Sequence, residues 1–232
     1  MVFLFGARLA PMKRQRLTRE QSKDQTRERL LDAAQAIFMK KGFVAASVED
    51  IAGAAGYTRG AFYSNFRSKN ELFLELLRRD HETMQAGLQA IFENAASREE
   101  MEARVLHYYS NLYRENKCFL LWVEAKLLAV RDGRFRPRFN AFMHEKLEQL
   151  SAYVREFSAR VGTPMLIEPE QLAIGLMGLC DGVQFFHTVD PQNVPAEMAE
   201  KVLAGFFARV VFGRDALTGR PTPEEPLVRQ LS

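Results

Sequence analysis

The chain has 232 residues, 47% of them hydrophobic and 26% charged, a balance that builds its own core and requires no disulfide or metal staple. Its two cysteines, Cys118 and Cys180, form no CxxC pair and are expected as reduced thiols in a cytosolic protein. The net charge of +3 hides an asymmetry, because residues 12–70 hold twelve Lys or Arg against six Asp or Glu while residues 71–232 carry −4. A basic front suits a polyanionic partner, although a solvated charged face gives the same pattern.

Residues 1–23 read as a flexible basic arm. Their apolar opening, MVFLFGARLAP, lacks the basic region of a signal peptide. No apolar run approaches the roughly 18 residues that span a bilayer, so no membrane contact is expected. From Asp24 to Lys41, Leu30, Leu31, Ala34, Ile37 and Phe38 fall on one stripe of 3.6-residue period, and Gly42 supplies a stop. Ser47 can cap a second helix with Asp50 at the reciprocal position of a capping box. Gly56 breaks the chain, and Thr58 can cap a short third helix from Arg59 to Phe66. Ser68 and Glu71 make a further capping box ahead of the apolar run ELFLELLRR.

Two short helices joined by a glycine turn have the layout of a helix-turn-helix, here within a domain spanning 24–70. Residues 71–213 read as a helical body. Its helices are predicted at Lys69 to about Ala95, Arg98–Asn116, Lys117–Arg131, about Phe135–Val161, about Pro169–Val189 and Ala196–Phe212. Residues 214–232 hold three prolines and no periodicity, so a flexible tail is expected. No strand is predicted. The fold class is all-α with about nine helices.

On the third helix Phe62 and Phe66 share a face four residues apart, with Ala61 alongside, and point inward. Arg59, Gly60, Tyr63 and Ser64 then point elsewhere. A glycine inside a helix costs about 1 kcal/mol relative to alanine, which close approach of a DNA backbone or base edge would justify. Arg can bind guanine bidentately, and Tyr or Ser hydroxyls can reach phosphate. This helix therefore reads as a recognition helix for the major groove of double-stranded DNA.

The run RERLLDAAQAIFMKKGFVAASVEDIAGAAGYTRGAFYSNFRSKNELFLELL, residues 27–77, resembles the DNA-binding domain of the TetR family of bacterial transcriptional regulators. K-G-F, S-V-x-D-I-A, A-G-x-T-R-G-A-F-Y and F-x-S-K-x-E-L occur in order. The pair Ser64-Asn65 departs from the commonest family form, so the operator sequence does not follow. The resemblance implies that Ser47 caps the second helix and contacts phosphate. It implies that the stretch opening at Tyr57 faces DNA through Thr58, Arg59, Gly60 and Ala61, and that Tyr63, Ser64 and Asn65 continue the contact. Lys69 would bind phosphate, Arg27 would lie against the backbone, and the arm from Lys13 to Lys23 could reach a minor groove.

The resemblance also implies a body that dimerises through its last two helices and holds a small-molecule pocket. Gly175, Gly178 and Gly182 recur at i, i+3 and i+7, and close helix–helix contact is one reason to keep glycines in a helix. The last helix carries Val202, Phe206 and Val210 and is apolar all round. Burial within one chain would explain much of this, but a homodimer doubles the reading of a palindromic operator. Candidate pocket residues are Tyr108, Tyr109, Leu112, Phe119, Trp122, Phe142, Phe185 and Phe186, with Phe92 nearby. His107, Glu124, His144, Asp181 and His187 are polar groups that could face such a cavity. Mostly apolar walls with sparse polar groups suit a hydrophobic or aromatic effector.

Catalytic and metal readings fail. HEKLE at His144 and HETMQ at His81 lack the second histidine of a zinc-protease helix, and no GxSxG, P-loop or GxGxxG occurs. The expectation is a ligand-responsive regulator, a repressor, with no enzyme activity, cofactor or metal. The alternatives are an activator, or a helical small-molecule-binding protein whose DNA binding is vestigial.

Overall fold

The architecture is given by a computed structural model that describes residues 18–115, 118–162 and 167–213, with backbone alone at 111–115 and 161. Helix starts follow their caps. Thr18 Oγ1 accepts from Gln21 N and Gln21 returns a bond to Thr18 N, so α1 (Arg19–Ala45) begins five residues before the apolar stripe suggested. Arg19 and Lys23 of the predicted arm are therefore helical, and residues 13–17 lie outside the described residues. Gly42 interrupts α1 with φ of 81°. A side chain there would be strained, and its Cβ would also stand 2.8 Å from Glu124 Oε1.

Ser47 with Asp50 opens α2 (Val48–Ala54), and Thr58 opens α3 (Arg59–Asn65), whose last residue falls one short of the predicted end. Ser68 caps α4 (Lys69–Asn94) by accepting from Glu71 N, while the Glu71 carboxylate reaches Arg67 N and not Ser68 N. The body continues through α5 (Arg98–Glu115), α6 (Phe119–Arg131), α7 (Arg136–Val161), α8 (Pro169–Val189) and α9 (Ala196–Phe206). The last helix does not run on to Phe212 as an α-helix. It widens into a π-helical turn at Phe207–Val211, closed by Phe212 N donating to Phe207 O at 2.9 Å. That i→i+5 closure keeps Phe207 and Phe212 on one side, both buried. The predicted tail, 214–232, lies outside the described residues. Among the described residues there are nine α-helices and no strand.

Two cores hold the chain. The first joins α1–α4 to α6 and the start of α7, with Phe38, Phe43 and Phe73 in mutual ring contact and Phe135 and Phe139 continuing the stack. It crosses the predicted boundary at residue 70, because Leu72, Phe73, Leu76 and Leu77 of α4 belong to it. The second core joins Leu88 and Phe92 of α4 to α5, α7, α8, Phe207 and Phe212.

α4 passes through both cores. Between them, four consecutive residues grip three neighbours. Arg78 makes two bonds to Glu145 of α7, and Arg79 binds Asp32, Glu28 and Gln35 of α1. Asp80 accepts from the Trp122 indole of α6 at 2.7 Å, and His81 bonds Gln149 of α7 at 2.8 Å.

α8 differs from expectation: by length and composition it could cross a bilayer. Its apolarity is divided between two faces. Leu172, Ala173 and Leu176 are buried, whereas Ile174, Phe185, Phe186 and Val189 are exposed. Such a division is what a helix shared between two subunits needs.

Candidate nucleic-acid interface and internal cavity

The helix-turn-helix is held from inside. Phe62 and Phe66 are buried and lock α3 against α1 and α4. Arg59, Gly60, Tyr63 and Ser64 are exposed on the opposite side, as the sequence predicts. Arg59 is tethered to Glu49 at 2.7 Å and lies 5.5 Å from the Tyr63 ring. An exposed pair of this kind is worth at most about 1 kcal/mol, so a nucleic acid can compete for the guanidinium. Ser64 Oγ returns to Gly60 O at 2.7 Å. Among the described residues nothing requires a glycine at 60, since an added Cβ would meet only Thr58 Oγ1 at an ordinary 3.7 Å. Thr58 is exposed and its hydroxyl caps α3; Ala61 is half-buried. Tyr57 is half-buried with its hydroxyl 3.5 Å from Thr26 Oγ1.

Three expected DNA ligands have partners within the protein. Arg27 donates to Asn65 O at 2.9 Å, pairs with Glu75 at 3.0 Å and sits 4.3 Å over the Phe66 ring, tying α1 to α3 and α4. Asn65 is half-buried: its amide nitrogen bonds Ala61 O, and its Oδ1 is buried without a partner. Lys69 Nζ donates to Phe43 O at 2.7 Å, Ala46 O at 2.6 Å and Val44 O at 3.4 Å. All three of its protons therefore serve the carbonyls that the end of α1 leaves open. Burial lowers the Lys69 pKa below the ordinary lysine value.

Ser47 keeps its predicted capping role. Its Oγ accepts from Asp50 N at 3.0 Å and donates to Asp50 Oδ2 at 2.5 Å. Lys41 reaches the same carboxylate oxygen at 2.5 Å. With Ser47, it holds Asp50 well below the usual carboxylate range.

The body contains a cavity of about 900 Å³, its open mouth included, between α4, α5, α6, α7 and α8. Tyr108, Tyr109, Phe119, Trp122 and Asp181 line it as predicted. Phe142 does not; it is buried behind the wall, stacked on Trp122 at 5.7 Å. Phe185 and Phe186 are exposed on the outer face of α8, because the helical period turns them away from Leu176 and Cys180. The Leu112 side chain lies outside the described residues.

Among the other polar candidates, Glu124 stands at the α1 kink, where Oε2 accepts from Phe43 N at 2.6 Å. His107 and His144 are exposed, and His187 bonds Val194 O. Gly175 and Gly178 are exposed, Gly182 is half-exposed, and an added Cβ at any of the three would touch nothing within 4 Å. Val202 of α9 and Val210 of the π-helical turn are exposed, whereas Phe206 is half-buried against the second core.

The cavity has a polar end, of which the sequence predicts Asp181 alone. Lys126 pairs with Asp181 at 2.5 Å. Lys146 Nζ lies 4.3 Å over the Trp122 ring, and burial lowers its pKa. His81 Nε2 bonds Gln149 while Nδ1 is buried without a partner, and burial lowers its pKa too. Burial also pushes the Cys180 thiol up to about 12, so it stays protonated at neutral pH. A signal was present: Met143, Lys146, Leu150 and Tyr153 share one helical stripe, so the lysine interrupts an otherwise apolar inward face. Among the described residues no group of three side chains could hold a metal ion.

Comparison with known proteins agrees with this geometry. The family model described as bacterial regulatory proteins, tetR family, matches residues 30–76. The HTH-type transcriptional activator FasR of Mycolicibacterium smegmatis is 30% identical over 158 residues, covering 68% of this chain and 69% of its own. The HTH-type transcriptional repressor KstR2 of the same species is 26% identical, covering 66% of this chain and 90% of its own. Two solved structures share the fold. A TetR-family regulator from Rhodococcus sp. aligns with TM-score 0.68 at 18% identity, over 81% of this chain and 99% of its own. A transcriptional regulator from Saccharomonospora viridis, solved in complex with choline, aligns with TM-score 0.65 at 19% identity, over 79% and 96%. Recognition helix, helical body and sequence kinship agree, and the chain belongs to the TetR family of DNA-binding bacterial transcriptional regulators.

Proposed function

We propose that the protein is a homodimeric repressor that binds a palindromic operator and leaves it when a small hydrophobic effector enters the cavity. The observation that carries the reading is the outward face of α3. Arg59, Gly60, Tyr63 and Ser64 are presented to solvent, and Gly60 has no internal reason to lack a side chain. The dimer reading draws on α8 and α9, where three glycines have open space at Cβ on a chain segment that also exposes Ile174, Met198 and Val202. Release follows if the effector favours one placement of α4 and α6, which wall the cavity and also build the core under the helix-turn-helix. A relative named as an activator favours the second reading, activation from the same site.

The test is fluorescence anisotropy on the DNA upstream of the gene, across a salt series, with half-site and full-site probes. Arg59→Ala and Tyr63→Ala are expected to weaken binding about 10-fold or more without lowering Tm. Gly60→Ala is expected to keep or raise Tm, by helix propensity, and still weaken binding. Equal binding to scrambled DNA, or full affinity of Gly60→Ala, would sink the recognition-helix reading. Reporter expression on deletion of the gene separates repressor, where it rises, from activator, where it falls.

A further inference from the structure

We infer that the effector is an amphiphilic anion, with a carboxylate head held at Lys146 and an apolar chain running past Tyr109 and Tyr153 into a second cavity. This deepens the reading of the cavity as an effector site and rests on it.

The head is argued from charge. Among the described residues the cavity wall carries two ammonium groups, Lys126 and Lys146, against one carboxylate, Asp181. Asp181 is engaged by Lys126 at 2.5 Å. Asp80, behind the wall, is engaged by the Trp122 indole. Among the described residues Lys146 has neither a hydrogen-bond acceptor nor an ion pair; its contact is the indole face at 4.3 Å. A ring face offsets only part of the cost of taking an ammonium out of water. A carboxylate supplies the rest, and it does so with a charge-assisted bond. Gln149, three residues along the same helix, has its Oε1 occupied by His81, which leaves its amide N–H groups as neighbouring donors. A cationic head would meet Lys146 while the nearby carboxylate, Asp181, is already engaged by Lys126, so the wall selects against it.

The chain is argued from shape. A second cavity of about 330 Å³, open space included, shares Leu88, Tyr109, Leu150, Tyr153 and Leu176 with the first. Beyond that shared wall every described lining side chain is hydrocarbon, with Phe92, Phe157 and Phe207 at the far end. The two spaces together run from a charged end to an end where the described side chains carry no polar group, which is the profile of a chain-bearing acid.

The experiment uses full-length protein without DNA and reads Trp122, the chain's single tryptophan, by fluorescence. Decanoate, decanol and decylamine are titrated below their micelle thresholds. Decanoate is expected to bind about tenfold or more tighter than decanol, the effect of one charge-assisted contact, and decylamine weakest. Lys146→Met is expected to erase that preference while leaving decanol binding within about twofold, because the side-chain volume is kept. Hexanoate is expected to bind more weakly than decanoate, and Val211→Phe, which fills the second cavity, is expected to narrow that gap. No binding by any probe, decanoate no tighter than decanol, or a preference that survives Lys146→Met overturns the inference. Equal affinity for hexanoate and decanoate overturns the chain assignment. Operator release is measured separately. Decanoate that binds at Lys146 without releasing DNA leaves the ligand class standing and removes the release step of the proposed function.

Discussion

The two ends of the molecule treat charged side chains in opposite ways. Under the recognition helix, Arg27, Asp50 and Lys69 are each held by internal partners; the bonds of Arg27 and Lys69 and the Lys41–Asp50 pair join separate parts of the helix-turn-helix, and Ser47–Asp50 closes the cap of α2. In the body, the cavity wall keeps an ammonium, Lys146, and a ring nitrogen, His81 Nδ1, free of hydrogen bonds. A region that satisfies its own polar groups has one preferred shape. A wall that leaves a donor, the Lys146 ammonium, and an acceptor, His81 Nδ1, unpaired keeps part of its interaction energy for a guest. The lesson is that stiffness and responsiveness are distributed by where hydrogen bonds close.

The largest test of this contrast is a pair of truncations. Phe62→Ala, in the close-packed first core, is expected to cost about 3–5 kcal/mol, whereas Leu88→Ala, already bordering both cavities, is expected to cost about 2 kcal/mol. Chemical denaturation of both variants checks it, and equal costs would mean that the body is packed as tightly as the head. Lys69→Met comes next. Opening three carbonyls at the end of α1 is expected to lower stability by about 1.5–3 kcal/mol. The salt slope of operator binding is expected to stay unchanged. A slope shallower by about one, with Tm intact, would instead make Lys69 a phosphate ligand.

The smallest effects are in pH. Burial depresses the His81 pKa below 6.5, so the unfolded chain takes up a proton first and stability falls as pH drops below that value. Asp50, also depressed by its partners, loses its contribution only as pH falls below 3.8. The sign is the same and the windows differ. His81→Gln is expected to flatten the denaturation midpoint between pH 7 and 5, and Asp50→Asn to leave that interval unchanged. A flat wild-type profile between pH 7 and 5 would contradict the assignment to His81.

The head of the protein was legible because its signals are local. A cap, a capping box or a stop glycine acts over three or four residues, so Ser47, Thr58, Ser68 and Gly42 could be read directly from the chain. The internal partners of Arg27 and Lys69 were not legible, because they lie 38 residues away for Arg27 and 23 or more for Lys69. No pattern on a single helix reveals those. In the body, aromatic residues marked the cavity only where the helical period happened to aim them inward. Trp122 and Tyr108 line it, while Phe185 and Phe186 are carried to the opposite face of α8. The same period, applied to Met143, Lys146, Leu150 and Tyr153, would have exposed the charged end.

The turn of α4 from Arg78 to His81 has a mechanical consequence. Its four side chains hold α1, α6 and α7, and if α4 tilts about that turn as a pivot its short end carries the helix-turn-helix with it. Lys69 lies ten residues from Arg79, about 15 Å at 1.5 Å per residue, so a tilt of about 5° at the pivot displaces the short end by about 1.3 Å. Two such rods, one in each subunit of a dimer, would add their displacements in opposite directions. The separation of the recognition helices would then change by about the difference between a hydrogen bond made and a hydrogen bond lost.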